Sequence, residues 1–309
     1  MGNEAFGDIR VMTPEEHWKH FEKSWQALIS YTYLGKGTPF LDVGVTEESM
    51  PLRHDMRNST GGIMAAPLCI LCPEPYRRDD ECVPAPVTMT YEVLDPGHDV
   101  KRLFVIRDVI SFGRQMGFSR ARVVDADNHD RVIAITTGSG VSLGDVPPGF
   151  FEVDNPVNDV ADSPDLPQLR DVFGVVRNPF GTLQIDKVTP ELASPHSALH
   201  QGAINVALEA AAMDELLAAT GSADFQLEGY TVLMVKPGYV GPFVANATVV
   251  NPTGSRIGVE ATLTDDGNRG RIIATASATF RPVNQVPHLD VAAATGSARG
   301  RCIGQNGRT

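Results

Sequence analysis

The sequence has few cysteines, no excess of basic residues and no long apolar run, and each absence narrows its function. The formal net charge of the 309 residues is −12, whereas a nucleic-acid-binding protein is expected to be basic. No uninterrupted run of roughly 18 apolar residues occurs, so we predict no membrane-spanning helix. Residues 1–10 do not read as a signal peptide. These absences predict a soluble, cytoplasmic protein that binds neither nucleic acid nor membranes.

The cysteines number four, and they do not complete a metal site. Cys69 and Cys72 have the Cys-x-x-Cys spacing of a zinc ligand pair, but no second such pair and no histidine pair supplies the remaining ligands. Apolar residues surround them in the sequence, as in a buried helix. We therefore interpret both cysteines as small core residues and predict that the protein uses no metal and no organic cofactor.

The most informative segment is residues 194–220, which reads S-P-H-S-A-L-H-Q-G-A-I-N-V-A-L-E-A-A-A-M-D-E-L-L-A-A-T. Alanine and leucine favour helices and Gly221 is a typical helix stop, so a helix of about 18 residues is predicted. Apolar residues occupy nearly every side of this helix, which indicates that other parts of the protein surround it. Glu209 is its one charged residue between Gln201 and Asp214. A carboxylate buried in this way needs either a partner or a function.

Predicted strands lie on both sides of this helix in the sequence. Segments rich in Val, Ile, Thr, Tyr and Phe predict one strand before it, at 182–188, and four after it, at 225–236, 239–251, 256–264 and 271–281. Pro-Gly, Pro-Thr-Gly and Asp-Gly turns separate the last four, as in an antiparallel meander. A strand, a buried helix and a meander occur in this order in the hotdog fold, in which a sheet curls around a central helix.

The first half of the chain repeats the same order. A glycine-containing segment at 58–62 precedes a short apolar helix at 63–72, which contains Pro67. Strands are predicted after it, at 83–94, 101–116, 118–125 and 131–141. Aligning Gly62 with Gly202 also matches Cys69 with Glu209. We therefore predict an α+β double hotdog, in which two curved antiparallel sheets each wrap around a central helix and join as a pseudo-dimer.

Composition sets the predicted boundaries of this arrangement, since a chain of this length accommodates two domains or a duplicated one. The boundaries are an N-terminal helix at 1–36, a first, diverged hotdog repeat at 37–145, an acidic, proline-rich linker at 146–180, a second repeat at 181–284 and a flexible tail at 285–309. A fused pair supplies internally the interface that single-domain members form between subunits. We therefore also predict a homodimer of double-hotdog protomers.

A short motif in the second repeat resembles that of a known family. The segment H-Q-G at 200–202, followed after six residues by Glu209, resembles the H-G-G-x(6)-D/E signature of the PaaI-like (phenylacetyl-CoA thioesterase type) hotdog family. The segment K-P-G at 236–238 is similar to the basic-proline-glycine turn of that family, and the resemblance covers about residues 182–281. The sequence departs from the family at three positions: Gln201 replaces the first glycine, Ala210 replaces a threonine that some members carry, and Cys69 replaces the acid in the first repeat.

The resemblance implies hydrolysis of an acyl-CoA or acyl-carrier thioester. This reaction needs a carboxylate that activates water or attacks the thioester, and N–H donors that stabilise the oxyanion. Glu209 would supply the carboxylate, as general base or nucleophile, and backbone N–H groups at a helix start would supply the donors. In related hotdog dimers the two come from different subunits, so Glu209 is expected to face residues 58–62. The mirror site would pair Gln201 and Gly202 with Cys69 and lack an acid.

These roles define the candidate site residues, some of which have competing interpretations. The candidate catalytic residues are Glu209, Asn58 and Gly62, and the candidate substrate-binding residues are Thr60, Gly61, His200, Gln201, Gly202 and Lys236. Asn58 either caps a helix or holds the attacking water. His200 orients its loop more readily than it acts as a base, and Glu209 has the alternative role of a buried structural ion.

Two other functions stay open at this point. A hotdog dehydratase or hydratase normally carries an Asp and a His five residues apart near the helix start, and no such Asp precedes His196. A non-catalytic acyl-binding protein on the same scaffold is the second alternative, because the chain offers one acid for two sites.

Overall fold

Eleven strands and four α-helices make up the computed structural model of the protein, which describes residues 26–37, 48–72, 82–113, 116–145, 159–194 and 196–283, with the single positions Thr13 and Glu16. The helices are α1 (Ile29–Thr32), α2 (Ala65–Leu71), α3 (Leu169–Val172) and α4 (Gln201–Thr220). The strands are β1 (Ser49–Pro51), β2 (Cys82–Val93), β3 (Arg102–Phe112), β4 (Met116–Asp125), β5 (Asn128–Asp145), β6 (Val175–Arg177), β7 (Leu183–Ile185), β8 (Phe225–Met234), β9 (Phe243–Val250), β10 (Ile257–Asp265) and β11 (Arg271–Pro282).

The strands form one continuous sheet in the order β1-β3-β4-β5-β2-β8-β11-β10-β9-β7-β6. β2 and β8 pair antiparallel at its centre, with Tyr91 opposite Tyr230. Beside them, the Thr231 hydroxyl donates to the Thr90 hydroxyl at 3.1 Å. Outward from this central pair, each side continues with the fourth, third and second strand of its own meander. The two halves of the chain therefore meet through two strands that occupy the same place in each half.

Helix α4 is surrounded, as the sequence predicts. It spans 20 residues, every position from 201 to 212 is buried, and Gly221 ends it with a left-handed φ of 71°. The helix contacts β9, β10 and α2. Leu208 and Leu216 are fully buried, and burial of each such side chain contributes about 1.5–3 kcal/mol to stability.

Helix α2 is short because of Pro67. In the alignment of Gly62 with Gly202, the first residue of α2, Ala65, corresponds to Asn205, so α4 begins four residues earlier than α2. A proline is tolerated in the first helical turn, where its missing N–H has no partner to bond, but it breaks a helix further in. Pro67 is the third residue of α2 and so fits only a helix that starts late. Ala65 and Ala66 therefore carry the first N–H groups of this helix.

Helix α2 begins beside the middle of α4, and the loop before α2 lies beside the residues that follow α4. The N–H of Ala65 reaches Glu209 in the middle of α4, while the side chain of Asn58, before α2, reaches Phe225, beyond the end of α4. Buried apolar residues from both halves form one continuous core. None of the helices in the described residues is both long and apolar enough to cross a membrane.

Some elements differ from their predicted bounds. The strand predicted at 239–251 begins only at Phe243, because the buried Asp265 carboxylate accepts hydrogen bonds from three successive N–H groups in the loop before it. Part of the predicted linker at 146–180 is folded into the second half, where Leu169, Phe173 and Val175 join the core. Apolar side chains within a polar segment explain this difference. Most of the predicted N-terminal helix at 1–36, and the predicted tail at 285–309, lie outside the described residues.

Candidate functional site

The carboxylate of Glu209 joins the two halves of the molecule. It lies in the middle of α4 with the residue 3% exposed. Its Oε1 accepts a hydrogen bond from the N–H of Ala65 at 2.6 Å, and its Oε2 accepts one from Ala66 at 2.7 Å. Met64, the residue before α2, makes no side-chain capping bond. Glu209 therefore serves as the cap for the helix of the opposite half.

Burial controls the protonation of this carboxylate. Desolvation raises the pKa of Glu209 from 4.5 to about 7, and the hydrogen bonds from Ala66 and Ala65 oppose that rise. Near neutral pH the protonated and ionised forms therefore coexist. A carboxylate with such a pKa lies in the range in which general bases work efficiently.

The loop at 58–62 is organised around the Asn58 side chain. Its Oδ1 accepts hydrogen bonds from the Thr60 N–H at 3.0 Å, the Thr60 hydroxyl at 2.7 Å and the Gly62 N–H at 3.0 Å. Its Nδ2 donates to the carbonyl of Phe225 at 3.0 Å. Gly61 has a φ of 80°, which favours glycine at this position. The carboxylate of Glu209 thus bonds to Ala65 and Ala66, a few residues beyond this loop, while the Gly62 N–H has an acceptor within the loop.

An arginine absent from the predicted site supports this loop. The guanidinium of Arg57 donates to four carbonyl oxygens, including those of Gly61 at 3.0 Å and Gly97 at 2.7 Å. Burial lowers the pKa of Arg57. Its position directly before Asn58 was the only signal in the sequence, and a lone arginine before a turn does not reveal which carbonyls it binds.

His200 caps α4 with its own side chain. Its Nδ1 accepts from the Gly202 N–H at 3.1 Å, and the Ser30 hydroxyl lies 3.0 Å from the same nitrogen. Since Nδ1 is the acceptor, the proton of the neutral ring is on Nε2. Burial, assisted by the charge of Lys36, lowers the pKa of His200 to about 3. His200 is therefore neutral at ordinary pH and orients the helix start.

Helix α1 covers the start of α4. Ser30 is fully buried, and a Cβ atom added to Gly202 would lie 2.1 Å from its hydroxyl oxygen. The ring of Tyr31 packs edge-on against His200 with 5.7 Å between centroids. The glycine of the motif consequently makes room for a side chain of the protein itself.

Two polar residues missed by the sequence analysis, Asn205 and Tyr230, extend the site along α4. The Tyr230 hydroxyl donates to Asn205 Oδ1 at 2.9 Å, and Asn205 Nδ2 donates to the backbone and side-chain oxygens of Gln201 at 2.8 and 3.1 Å. The spacing of Gln201, Asn205 and Glu209, four residues apart, places them on one side of the helix. That spacing was the available signal, but an asparagine in an alanine-rich helix suggests no partner by itself.

Lys236 and Cys69 lie in contrasting surroundings. Lys236 is exposed in the loop after β8. Cys69, the counterpart of Glu209, is buried, and burial together with the nearby Glu209 charge raises the pKa of its thiol. Among the described residues, no group of three or more His, Cys, Asp and Glu is placed to hold a metal ion.

Two cavities lie elsewhere. One of about 10 Å³ lies among Cys72, Met89 and Ser119, with room for about one water molecule. Another, of about 280 Å³, lies beyond the end of α4 between Asp224 and Pro252. Glu209 lines neither of these two cavities, and its side chain is buried.

Comparison with known proteins identifies the fold. No family model and no curated protein matches the sequence. A TesB protein from Mycobacterium avium subspecies paratuberculosis is 10% identical with a TM-score of 0.50, and the match covers 76% of this chain and 92% of that one. A protein described as an oleoyl thioesterase from Lactobacillus plantarum is 11% identical with a TM-score of 0.52, covering 77% and 96%. The chain has a hotdog-type fold. At these identities the similarity concerns the fold alone.

Proposed function

We propose that this protein hydrolyses an acyl-CoA or acyl-carrier thioester, with Glu209 as the general base or nucleophile. The observation that carries the proposal is the buried Glu209 carboxylate, seated on two backbone N–H groups of the opposite half. Placing an ionisable acid in a hydrophobic helix costs free energy, so a functional use is a reasonable explanation for it. The names of the two similar structures agree with this reaction class.

The same N–H groups suit the oxyanion of the reaction. They are backbone donors of fixed direction, 2.6 and 2.7 Å from oxygens that carry negative charge. In the proposed mechanism the thioester carbonyl oxygen takes the N–H of Ala66, and Oε2 of Glu209 turns away. The carboxylate then loses a hydrogen bond that lowers its pKa and becomes a stronger base.

The chemical step follows from this exchange. The freed carboxylate removes a proton from a water molecule as the water oxygen attacks the carbonyl carbon. The resulting oxyanion is held by the backbone N–H. When the tetrahedral intermediate collapses, the carbon–sulfur bond breaks, the thiolate takes the proton from Glu209, and a carboxylic acid is released. The alternative is direct attack by Glu209, which forms a mixed anhydride that water then hydrolyses.

The other candidate residues take supporting roles in this proposal. Asn58 and Gly62 hold the loop that leads into α2. The side chain of Asn58 accepts from the Gly62 N–H and donates to the Phe225 carbonyl, so it is already occupied within the protein. His200 and Gly202 form the start of α4. Thr60, Gly61, Gln201 and Lys236 stay proposed substrate contacts.

We further propose that the chain is a double hotdog that assembles as a homodimer. The mirror-like strand order around β2 and β8, and a helix before each meander, support a duplication. Under this duplication Cys69 occupies the place of Glu209, so each chain has one half-site with an acid. The specific kinship with PaaI-like proteins rests on the motif at 200–209.

Release of free thiol from a panel of acyl-CoA thioesters tests the proposed function. We expect turnover by the natural protein and a decrease of about 10²–10⁴-fold in Glu209→Gln, the range for a lost acid–base group. Glu215→Gln, on the same helix, is the matched control and should stay within about twofold of the natural rate, since a partly exposed surface group contributes little. A Glu209→Gln variant with full activity contradicts the assignment of the base.

A non-catalytic acyl-binding protein is the second candidate, and one observation favours it. Both oxygens of Glu209 have donors, so the residue is also explained as a structural cap. This candidate predicts acyl-CoA binding without thiol release at any pH. A dehydratase is disfavoured, because His200 accepts a bond at Nδ1 and its pKa of about 3 makes it a poor base.

A further inference from the structure

One side-chain donor beside the proposed site has no acceptor. Nε2 of Gln201 is buried and has no hydrogen-bond partner within the parts of the chain that the structure describes. The residue as a whole is 7% exposed. Buried amide groups nearly always bond to protein or to ordered water, and an unused buried donor destabilises the fold. The site of Gln201 is therefore incomplete without a further acceptor.

The neighbouring residues determine which atom of Gln201 is left over. The backbone oxygen of Gln201 can only accept, so the Asn205 atom 2.8 Å from it must be the NH2 group. That group also lies 3.1 Å from the Gln201 side chain, which must present its oxygen there. The Tyr230 hydroxyl completes the arrangement by donating to the Asn205 oxygen. Tyr230 and Asn205 thus hold the amide of Gln201 with its NH2 group turned away from them.

Two other donors at this helix start are already used. The Gly202 N–H donates to His200, and the space over Gly202 is filled by Ser30. The N–H of Ile204 donates to the carbonyl of His200. Gln201 precedes Asn205 by four residues and contacts it, so its free donor lies on the side of α4 that carries Asn205 and Glu209.

The position along the helix relates this donor to the proposed reaction. Asn205 and Gln201 precede Glu209 by four and eight residues, which is roughly 6 and 12 Å at 1.5 Å per residue. A thioester held at Glu209 that extends toward the start of α4 passes this donor. A pantetheine arm has amide carbonyls in this range of distances, and so does an acyl chain with a second carbonyl.

We infer that the Gln201 side-chain NH2 binds a second, neutral carbonyl oxygen of the thioester substrate, and that Asn205 and Tyr230 are the positioning residues that orient it. A neutral acceptor fits because the donor is an uncharged amide, and the residues bonded around it, Asn205 and Tyr230, carry no positive charge. This inference rests on the proposed thioesterase function.

Three thioesters of one acyl group test the inference: hexanoyl-CoA with both amides, hexanoyl-N-acetylcysteamine with one, and S-ethyl hexanethioate with none. A fourth, S-ethyl 5-oxohexanethioate, places a second carbonyl on the acyl side instead. We expect Gln201→Leu to lower kcat/KM by about 3–10-fold, the effect of losing one neutral hydrogen bond. This loss should occur only for substrates that carry the recognised carbonyl. Loss on the amide-bearing substrates alone identifies pantetheine, and loss on the oxo substrate alone identifies the acyl chain.

The positioning role has its own signature. Asn205→Leu and Tyr230→Phe should reproduce the selective loss in kcat/KM, the second of them more weakly, because a misdirected amide no longer meets the carbonyl. A merely structural defect would lower kcat/KM for all four substrates by the same factor. Gln168→Leu, an exposed glutamine on the same chain, is the control and should change none of them. If Gln201→Leu does not fold by circular dichroism, the nearly isosteric Gln201→Glu takes its place.

The possible failures differ from one another. Equal losses on all four substrates, or no loss on any, overturn the inference and leave the thioesterase proposal intact. Absence of hydrolysis of every thioester by the natural protein overturns the proposed function, and the inference falls with it.

Discussion

The stability of a Glu209→Gln variant separates a functional acid from a structural cap. The substitution should raise the free energy of unfolding at pH 8 if Glu209 is a functional acid and lower it if Glu209 is a structural cap. The folded-state pKa of Glu209, about 7, lies above its ordinary value of 4.5. The folded protein therefore holds this proton more tightly than the unfolded chain does. The stability that the protonated Glu209 contributes is fully present below pH 4.5 and is lost as the pH rises through 7.

The structure sets the size of this effect. A shift from 4.5 to about 7 corresponds to roughly 3 kcal/mol, at about 1.4 kcal/mol per pKa unit. Glutamine resembles the protonated acid, since it has one oxygen to accept from Ala65 or Ala66 and a donor on its other side. We therefore expect the variant to match the natural protein near pH 4.5. Above pH 8 it should be more stable by about 3 kcal/mol, while losing hydrolytic activity.

Urea unfolding of both proteins at pH 5 and pH 8 measures this difference directly. Glu215→Gln serves as the control, and its difference from the natural protein should not vary with pH. A structural cap gives the reverse result: removal of a needed acceptor makes Glu209→Gln less stable at pH 8 by about 1–3 kcal/mol. That outcome would refute the reasoning that burial dominates over the two hydrogen bonds.

Four further outcomes are expected. If ionised Glu209 is the base, kcat/KM should rise about tenfold per pH unit below pH 7 and level off above it, whereas a flat profile between pH 6 and 8 contradicts this. His200→Asn keeps a capping oxygen but cannot titrate. The folded-state pKa of His200, about 3, lies below its ordinary value of 6.5, so the natural protein loses stability as the pH falls from 6.5 toward 3. In thermal unfolding the variant should lose less stability than the natural protein over this range. Gly202→Ala should lower the unfolding free energy by about 1–3 kcal/mol through contact with Ser30, and Ser30→Gly should restore most of it in the double variant. Cys69→Ala should leave thiol release nearly intact, and a large loss would show that the acid has been misassigned.

Much of the fold could be predicted because its signals are local. The long helix follows from alanine and leucine content with Gly221 as its stop, and the strands of both meanders follow from β-branched residues between turn sequences. The loop at 239–242 could not be predicted. Its conformation depends on Asp265, a residue more than twenty positions away whose burial no local pattern reveals.

The candidate site shows the same division between local and distant information. Glu209 stands out in the sequence as one acid in an apolar helix, and His200 as a residue that orients the loop before that helix. That His200 caps the helix is a finding of the structure. The sequence predicts that the Glu209 carboxylate faces residues 58–62, whereas it bonds to Ala65 and Ala66. When Gly62 is aligned with Gly202, the first turn of α4 corresponds to residues 61–64. These residues are not helical, because Pro67 delays the start of α2. The information was present in the proline, but its consequence depends on the packing of two helices.

The two halves have diverged at complementary places, and this asymmetry follows from a few side chains. In the first half Pro67 removes one helical turn and leaves N–H groups open, and Glu209 of the second half fills them. In the second half the turn is present, His200 caps it, and Ser30 closes the space over Gly202. An acid at position 69 would therefore find its mirror-image donors already bonded within α4. With Cys69 there instead, the chain avoids a second buried charge without partners, which explains physically why one acid, rather than two, is compatible with this core.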